Sequence, residues 1–489
     1  MTVSNGSSLL DWLRTDRPGK TAIAGPEGEI GYATLADMVD STCAWLQAGG
    51  VSPSNRVGVS LSGGPTRVWL NHLAVMRIGA TCISLNEAFS AQIDAIGGVD
   101  FVVAHEGEPA LQHFPTRVLA FNRDSFDAYP GNNAWATAVG PSDGSRLMTT
   151  SGTTGRPKGV LWDHQTASRR VTATLGISAE TKLFPMLGID TAGGFRYPLA
   201  TWQAGGTVLS ASVLPDSPSG VKAIETCNLM LASPAILRAW LRTERTPFYG
   251  RDKRRVVCAG GRLAIKLREQ IHETLAARID IAYGSTEAGS IARGDASIVD
   301  RHPGAVGYAL PGVTIEIVDD GGLPVEAGAI GRVRVRSPNM VHHYWHAEGE
   351  VEAECFREGW FYPGDIGTME ADGLLVIHGR DGDTLNLDGR KIELGPIEQA
   401  VGEMADVTDC CALCVRTDRG DRLAIVVSCP DNTDLEALAR SIRHTIPSLH
   451  RFTLVHLPQI PRNAMGKVPR LALGRRIEQT SAFRAKNGV

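Results

Sequence analysis

The sequence predicts an α/β protein: a large N-terminal domain of parallel sheets with helices plus a small β-barrel-like subdomain, followed by a small α+β C-terminal domain. Three observations carry that expectation. At 489 residues the chain is too long for one ordinary core, so two or more domains are expected. Through roughly the first 300 residues, short and nearly continuous apolar runs alternate with helical patterns, as parallel strands covered by helices require. From about residue 311 the texture becomes all-β, and a compact α/β pattern follows residue 380.

Taken in order, RVGVSLS (56–62), TCISL (81–85) and FVVAH (101–105) read as strands, with a helix over 67–80 between the first two. GTVLSA (206–211), CNLML (227–231), RVVCA (255–259) and IDIAY (279–283) repeat the theme, with ILRAWL and IKLREQIHETLAA as intervening helices. VTIEIVD, GRVRVRS and LLVIHG are strands separated by glycine turns. Beyond the glycine- and charge-rich segment 379–398, a helix over PIEQAVGEM precedes strands ALCVR and LAIVVS and a helix over LEALARSIRHTI. These place a domain boundary near 380, dividing the chain into 1–380 and 381–489.

Composition narrows the function class. A hydrophobic fraction of 43%, a charged fraction of 21% and a net charge of −4 give no general attraction to nucleic acid or to an anionic membrane. No apolar run approaches the ~20 residues needed to span a bilayer. The first twenty residues lack a basic region followed by an apolar stretch, so a cytoplasmic protein is expected. Cys410, Cys411 and Cys414 lie in an apolar run with no second ligand pair, which makes them small buried hydrophobes rather than zinc ligands. His342, His343 and His346 are expected as surface and packing residues.

TTSGTTGRPKG (149–159) contributes nothing to a core, and its glycines raise the entropy lost on folding. Such a stretch is either a plain surface loop or a way to bring backbone N–H groups close to an anion. A Walker-type loop is excluded, because Lys158 is followed by Gly159 and not by Ser or Thr. Four further stretches follow. YGSTEAG (283–289) ends a strand, placing Thr286 and Glu287 at a carboxyl edge, where α/β sheets bind ligands. GWFYPGDIG (359–367) puts Asp365 on a tight turn, and DGLLVIHGRDGD (372–383) carries Arg380 at the domain junction. PRNAMGKVPR (461–470) presents Lys467 on a glycine-flanked loop. Singly, these are a turn residue, a boundary charge and an exposed lysine.

In this order the five stretches resemble, across nearly the whole chain, the successive signatures of the adenylate-forming superfamily: acyl- and aryl-CoA synthetases, peptide-synthetase adenylation domains and beetle luciferases. The resemblance implies an enzyme that joins a carboxylate to the α-phosphate of ATP, releases pyrophosphate and passes the acyl group to a thiol, using ATP, Mg2+ and CoA. By resemblance, Thr150, Ser151, Gly152, Thr153, Thr154 and Gly155 wrap the β- and γ-phosphates, with Lys158 assisting. Glu287 is the expected magnesium ligand and Thr286 touches the α-phosphate. Tyr283 lies against adenine, Asp365 accepts from both ribose hydroxyls, and Arg380 is a second ribose contact. Gly260 and Gly261 form a turn beside the adenine and acyl pocket. Lys467 bridges the substrate carboxylate and the α-phosphate. The C-terminal domain is expected to rotate between half-reactions about Gly382 and Asp383, with Gly389 facing the thiol tunnel.

The chain also departs from the family pattern. Relatives carry Asp or Lys where Gly382 stands, and an aromatic residue where Thr149 stands. LFPMLGIDTAGGFRYPL (183–199) offers glycine and isoleucine where relatives place a His or aromatic carboxylate guide. Here Gly188, Asp190, Gly193, Gly194 and Arg196 are the candidate substrate-pocket residues. One expectation is that the glycines at 188, 193 and 194 open room for a bulkier acid; the other rests on a charge. Arg196 either grips a second substrate carboxylate or pairs locally with Asp190 or faces water. A small or medium carboxylic acid with CoA as acceptor is expected. The alternatives are a carrier protein loaded through its phosphopantetheine arm, a lactone-forming synthetase or oxidase, and a non-catalytic nucleotide-binding relative.

Overall fold

A computed structural model of the chain describes residues 9–14, 17–86, 93–94, 96–106, 108, 117–121, 139–151, 157–215, 217–241, 247–345, 354–381, 384–387, 390–417, 420–447, 449, 451–462 and 468–478. Two large sheets dominate. One has six strands in the order Arg117–Phe121, Phe101–His105, Arg56–Ser60, Thr81–Leu85, Gly144–Ser151 and Pro157–Asp163. The first five run parallel and the last is antiparallel. Val57, Val59 and Cys82 are fully buried here, as near-continuous apolar strands of a covered parallel sheet must be.

The second sheet begins with six parallel strands in the order Thr21–Gly25, Thr207–Leu209, Lys182–Pro185, Leu229–Ala232, Arg255–Ala259 and Arg278–Ser285. Antiparallel strands then extend the same edge: Gly289–Asp295, Ala305–Ala309, Leu375–Arg380, Asp365–Met369 and Gly331–Arg336. The all-β stretch expected from residue 311 is thus attached, strand by strand, to the strand that ends at Tyr283–Ser285.

The core between the sheets is aromatic. Trp69 stacks on Phe195 with ring centroids 5.9 Å apart, Trp12 stacks on Trp202 at 5.5 Å, and Trp162 joins the same cluster. Each ring removes about 150–250 Å2 from water, the largest apolar contribution a single side chain makes. Helix Ala192–Ala204, which supplies Phe195 and Trp202, keeps Pro198 in its interior and starts on a Thr191 side-chain cap.

The C-terminal part has its own three-stranded sheet, Asp409–Thr417, Gly420–Ser428 and Thr453–His456, covered by helices Leu394–Gly402, Leu435–Thr445 and Arg470–Glu478. Cys411 is buried in its first strand and Cys410 and Cys414 are half-buried. Among the described residues no three His, Cys, Asp or Glu side chains gather to hold a metal. Polar contacts tie this part to the rest. Asp409 accepts from Arg238 at 2.7 Å, and Glu403 accepts from the Ile265 amide at 3.1 Å.

Candidate active site

The glycine-rich stretch is the tip of an antiparallel hairpin, not a strand-to-helix turn. Strand Gly144–Ser151 climbs to it and Pro157–Asp163 returns, with Thr150 opposite Lys158 and Ser151 opposite Pro157. Asp163 then caps helix His164–Thr172, accepting from the Thr166 amide at 2.6 Å. The tip itself, with Gly152, Thr153, Thr154 and Gly155, lies outside the described residues. Gly159 passes close to a neighbouring segment: the Trp345 amide donates to its carbonyl at 2.8 Å, and a Cβ there would sit 3.0 Å from Trp345. That contact delivers Tyr344. The Lys158 ammonium lies 4.8 Å from the Tyr344 ring centroid and 3.7 Å from Cys355 Sγ.

Tyr344 connects this hairpin to Glu287. Its hydroxyl donates to Glu287 Oε1 at 3.0 Å, while Oε2 has no partner among the described residues. Glu287 is buried at 8% exposure. Burial first, and then the Glu287 and Cys355 neighbours, push the Tyr344 phenol up, so it is a donor throughout the ordinary pH range. The backbone of the Thr286–Glu287 pair is gripped from behind by Arg170, on helix His164–Thr172. Its Nη1 donates to the Thr286 carbonyl at 2.7 Å and its Nη2 to the Glu287 carbonyl at 2.6 Å; Nη2 and Nε also reach Asn339. The guanidinium lies 4.1 Å from the centroid of Trp162, whose Nε1 donates to the Thr286 carbonyl at 3.2 Å. Burial holds Arg170 down to about 9, with Arg196 adding to the effect and Glu287 opposing it.

A second set of groups gathers on Asp365. Gly364 takes a left-handed φ of 75°, which lets the chain turn into strand Asp365–Met369. Asp365 and Arg380 are cross-strand partners, and Arg380 Nε lies 3.3 Å from Asp365 Oδ1. The Tyr283 hydroxyl donates to Asp365 Oδ2 at 2.5 Å. Tyr283 was expected to offer its ring face; the structure also fixes its hydroxyl, and burial followed by the Asp365 charge raises its pKa well above the ordinary value. Gly260, after strand Arg255–Ala259, takes a φ of 84°, and Gly261 packs against Pro234.

In the substrate segment the glycines are packing positions. A Cβ on Gly194 would collide with the Gly188 and Leu187 carbonyls, and one on Gly188 with Asp190 Oδ1. These two absences therefore let the turn sit on the helix start; they do not open space. Gly193 meets Leu187 and Leu231 at ordinary contact distance, 3.5 and 3.6 Å. Arg196 neither pairs with Asp190 nor faces water. It is 9% exposed and donates through Nη1 to Ser290 Oγ at 2.7 Å. Asp190 instead lies near Asn86, at 3.5 Å, and in the field of buried Arg146. Lys467, Gly382, Asp383 and Gly389 lie outside the described residues.

Sequence reasoning missed Arg170, Trp162, Tyr344, Arg146 and Ser290. Only Arg170 left a signal, as a charge on a helix following the hairpin strand.

Residues 10–345 match the family model described as "AMP-binding enzyme". The chain belongs to the AMP-binding enzyme family. This places it in the adenylate-forming superfamily. Among similar AMP-binding enzymes is an indoleacetate–CoA ligase of Aromatoleum aromaticum, 28% identical, with 94% of this chain and 96% of the relative covered. A 3-hydroxybenzoate–CoA ligase of an Aromatoleum species is 25% identical, with 92% of each chain covered. The fold matches a crystal structure of the anthranilate CoA ligase AuaEII with anthranoyl-AMP, at TM-score 0.85 and 20% identity over 97% of this chain and 98% of that one.

Proposed function

We propose that this AMP-binding enzyme is an ATP-dependent carboxylic acid–CoA ligase. A substrate carboxylate oxygen attacks the α-phosphorus of ATP, the bond to the bridging oxygen breaks, and pyrophosphate leaves. A thiolate then attacks the acyl carbon of the mixed anhydride and AMP departs. Full-length relatives named as CoA ligases support the acceptor. One observation carries the reading: both carboxylates that such a site needs are spaced along a single segment. Tyr283 holds Asp365, and four residues later Glu287 stands beside Tyr344 and Lys158. The strand ends at Ser285 and turns over residues 286–288, so Tyr283 on the strand and Glu287 on the turn set a ribose end and a phosphate end apart on one scaffold.

The residues suit the groups they would hold. Asp365 is an acceptor-only carboxylate fixed from two sides, the form that takes two sugar hydroxyls. Glu287 offers one uncommitted oxygen from a buried position, and Mg2+ is usually bound by one or two protein carboxylates together with substrate phosphates. When bound, the ion supplies charge neutralisation on the phosphate oxygens. Thr150 and Lys158, with residues 151–155, would line the phosphates, Thr286 the α-phosphate, and Gly260 and Gly261 the adenine. Lys467 completes the adenylation site from a C-terminal domain, residues 381–489, that turns about Gly382 and Asp383.

The test is an acid panel scored by pyrophosphate release, run with CoA, with a phosphopantetheinylated carrier protein and with neither. Acid-dependent release with an acyl-CoA product is the expected result. A thioester formed only on the carrier would transfer the reading to a carrier-loading enzyme. Nucleotide binding without release under any acid would overturn it.

A further inference from the structure

Arg196 is the charge for which the adenylation site, so far, has no use. Its helix, Ala192–Ala204, is tied to strand Gly289–Asp295 through Arg196 Nη1, which donates to Ser290 Oγ. Its partner Ser290 lies three residues beyond Glu287 and directly opposite Gly284 across the antiparallel pair. The guanidinium therefore stands beside the strand that leaves the Thr286–Glu287 turn.

Three features of its surroundings stand together. First, Nε is buried without a hydrogen-bond partner among the described residues, as it is in Arg146 and Arg254, but here Nη1 reaches the neutral Ser290 hydroxyl and no carbonyl. A guanidinium removed from water without a carboxylate or saturating carbonyls is costly. Second, no carboxylate is among its partners in the described residues: the neighbouring charge is Arg293, whose own partner is Asp280 at 2.7 Å. Tyr197 lies against the guanidinium with its ring centroid 5.2 Å away, and its phenol supplies no formal charge. Third, a cavity of about 10 Å3 opens at this point, with Arg196, Ser290, Arg293 and Thr174 on its polar side and Leu175 and Leu310 among its apolar lining. That is room for about one oxygen-sized group.

We infer that Arg196 and Ser290 form a specificity subsite for a second, negatively polarised oxygen at the far end of the carboxylic acid that this enzyme activates. The inference rests on the ligase reading above. Its chemistry is that of a buried arginine awaiting an acceptor: a second carboxylate or a hydroxyl on the acid would take Nε–H and the Ser290 hydroxyl. An acid ending in hydrocarbon would leave the guanidinium as it stands, desolvated and unpaired. Sites built to hydrogen-bond a polar substrate group reject analogues that lack it far more strongly than apolar pockets reject a missing methylene.

The experiment compares kcat/KM for pyrophosphate release on matched acids: benzoate, 3-hydroxybenzoate and isophthalate, and hexanoate with adipate. The full-length enzyme is compared with Arg196→Met, Arg196→Lys and Ser290→Ala. The wild type is expected to favour an oxygen-bearing acid over its unsubstituted counterpart. In Arg196→Met that preference ratio falls about 10- to 100-fold, the worth of one hydrogen bond to a charged group. Arg196→Lys restores part of it, and Ser290→Ala lowers it less. The hydroxyl and carboxylate arms tell which oxygen the subsite takes. A preference ratio unchanged in Arg196→Met overturns the inference. If that variant fails to show ATP-induced thermal stabilisation, the ratios of Arg196→Lys and Ser290→Ala decide in the same way. If no acid elicits pyrophosphate release from the wild type, the ligase reading itself fails. Release without oxygen preference and without variant effect overturns the subsite alone.

Discussion

Replacing Arg170 with methionine tests whether Thr286 and Glu287 are positioned from behind. The guanidinium donates to the carbonyls of Thr286, Glu287 and Asn339 at 2.6–2.8 Å and stacks on Trp162. Methionine replaces much of the apolar stem but none of those donors. The Thr286 carbonyl keeps Trp162 Nε1 and the Glu287 carbonyl keeps the Val341 amide, whereas Asn339 loses both of its bonds from Arg170. Hydrogen bonds to a charged group contribute about 1.5–3 kcal/mol each. With two of three carbonyls retaining a second donor, the expected loss of stability is about 3–5 kcal/mol, the range for breaking a buried ionic network. The functional loss follows from geometry, because a misplacement of about 1 Å at a reacting site costs on the order of 10²-fold in rate. Two readouts apply: thermal unfolding, and pyrophosphate release across a Mg2+ titration. The variant should melt lower, turn over about 10²-fold more slowly and need more Mg2+ for half-maximal rate. Arg170→Lys should recover only part of each, since one ammonium does not span three carbonyls. A methionine variant that keeps the wild-type Mg2+ requirement would refute the positioning role, whatever its melting temperature.

Asp365→Ala removes the acceptor shared by Tyr283 and Arg380, and the KM for ATP should rise about 10²-fold, more than the KM for the acid. Equal rises in both would remove Asp365 from nucleotide binding. Lys467→Ala should lower adenylation by roughly 10²–10³-fold while sparing thioester formation from supplied acyl-adenylate. Equal losses in both half-reactions would sink its assigned role. His72 and His164 are held down to about 3 and about 4 by burial. Above the unfolded pKa of ~6.5 both states are neutral and neither histidine affects stability. Below it the unfolded chain takes up protons that the fold refuses, so stability falls by about 1.4 kcal/mol per pH unit per histidine down to about pH 4. Melting curves from pH 7.5 to 5 check this; His72→Gln should shallow the decline, and an unchanged slope would refute it.

What was legible in the sequence was backbone logic. Strands 81–85, 101–105 and 255–259 are where periodicity placed them, because apolar runs act locally. Asp365 and Arg380 were readable as candidates from their motifs, and hairpin register then makes them neighbours. The rest was hidden by long-range packing. Tyr344 reaches Glu287 only because Gly159 admits Trp345 against the hairpin, a contact between positions 186 residues apart in sequence (345 − 159 = 186). Glycines 188 and 194 looked like open space, yet the missing side chains are filled by backbone carbonyls and a carboxylate. Arginines default to the surface in any sequence reading, so the fully buried Arg146 gave no warning, and Arg170 showed only as a charge on the helix after the hairpin.

Those buried arginines share a rule that isolates Arg196. Strand ends and irregular segments leave carbonyls that no ladder satisfies, and a planar guanidinium with five donors is suited to collect several at once. Arg170 does so for Thr286, Glu287 and Asn339; Arg254 does so for Tyr249 and Leu275; Arg146 reaches the Ile189 carbonyl in the field of Asp190. In each case the charge earns its burial by fastening backbone that a hydrophobic residue would leave unsatisfied. Arg196 fastens no backbone. It meets the Ser290 hydroxyl and the Tyr197 ring beside a small cavity. A residue so costly to bury and so little used by the fold is accounted for by a ligand, and its partner Ser290 stands opposite Gly284, on the strand that leads into the Thr286–Glu287 turn.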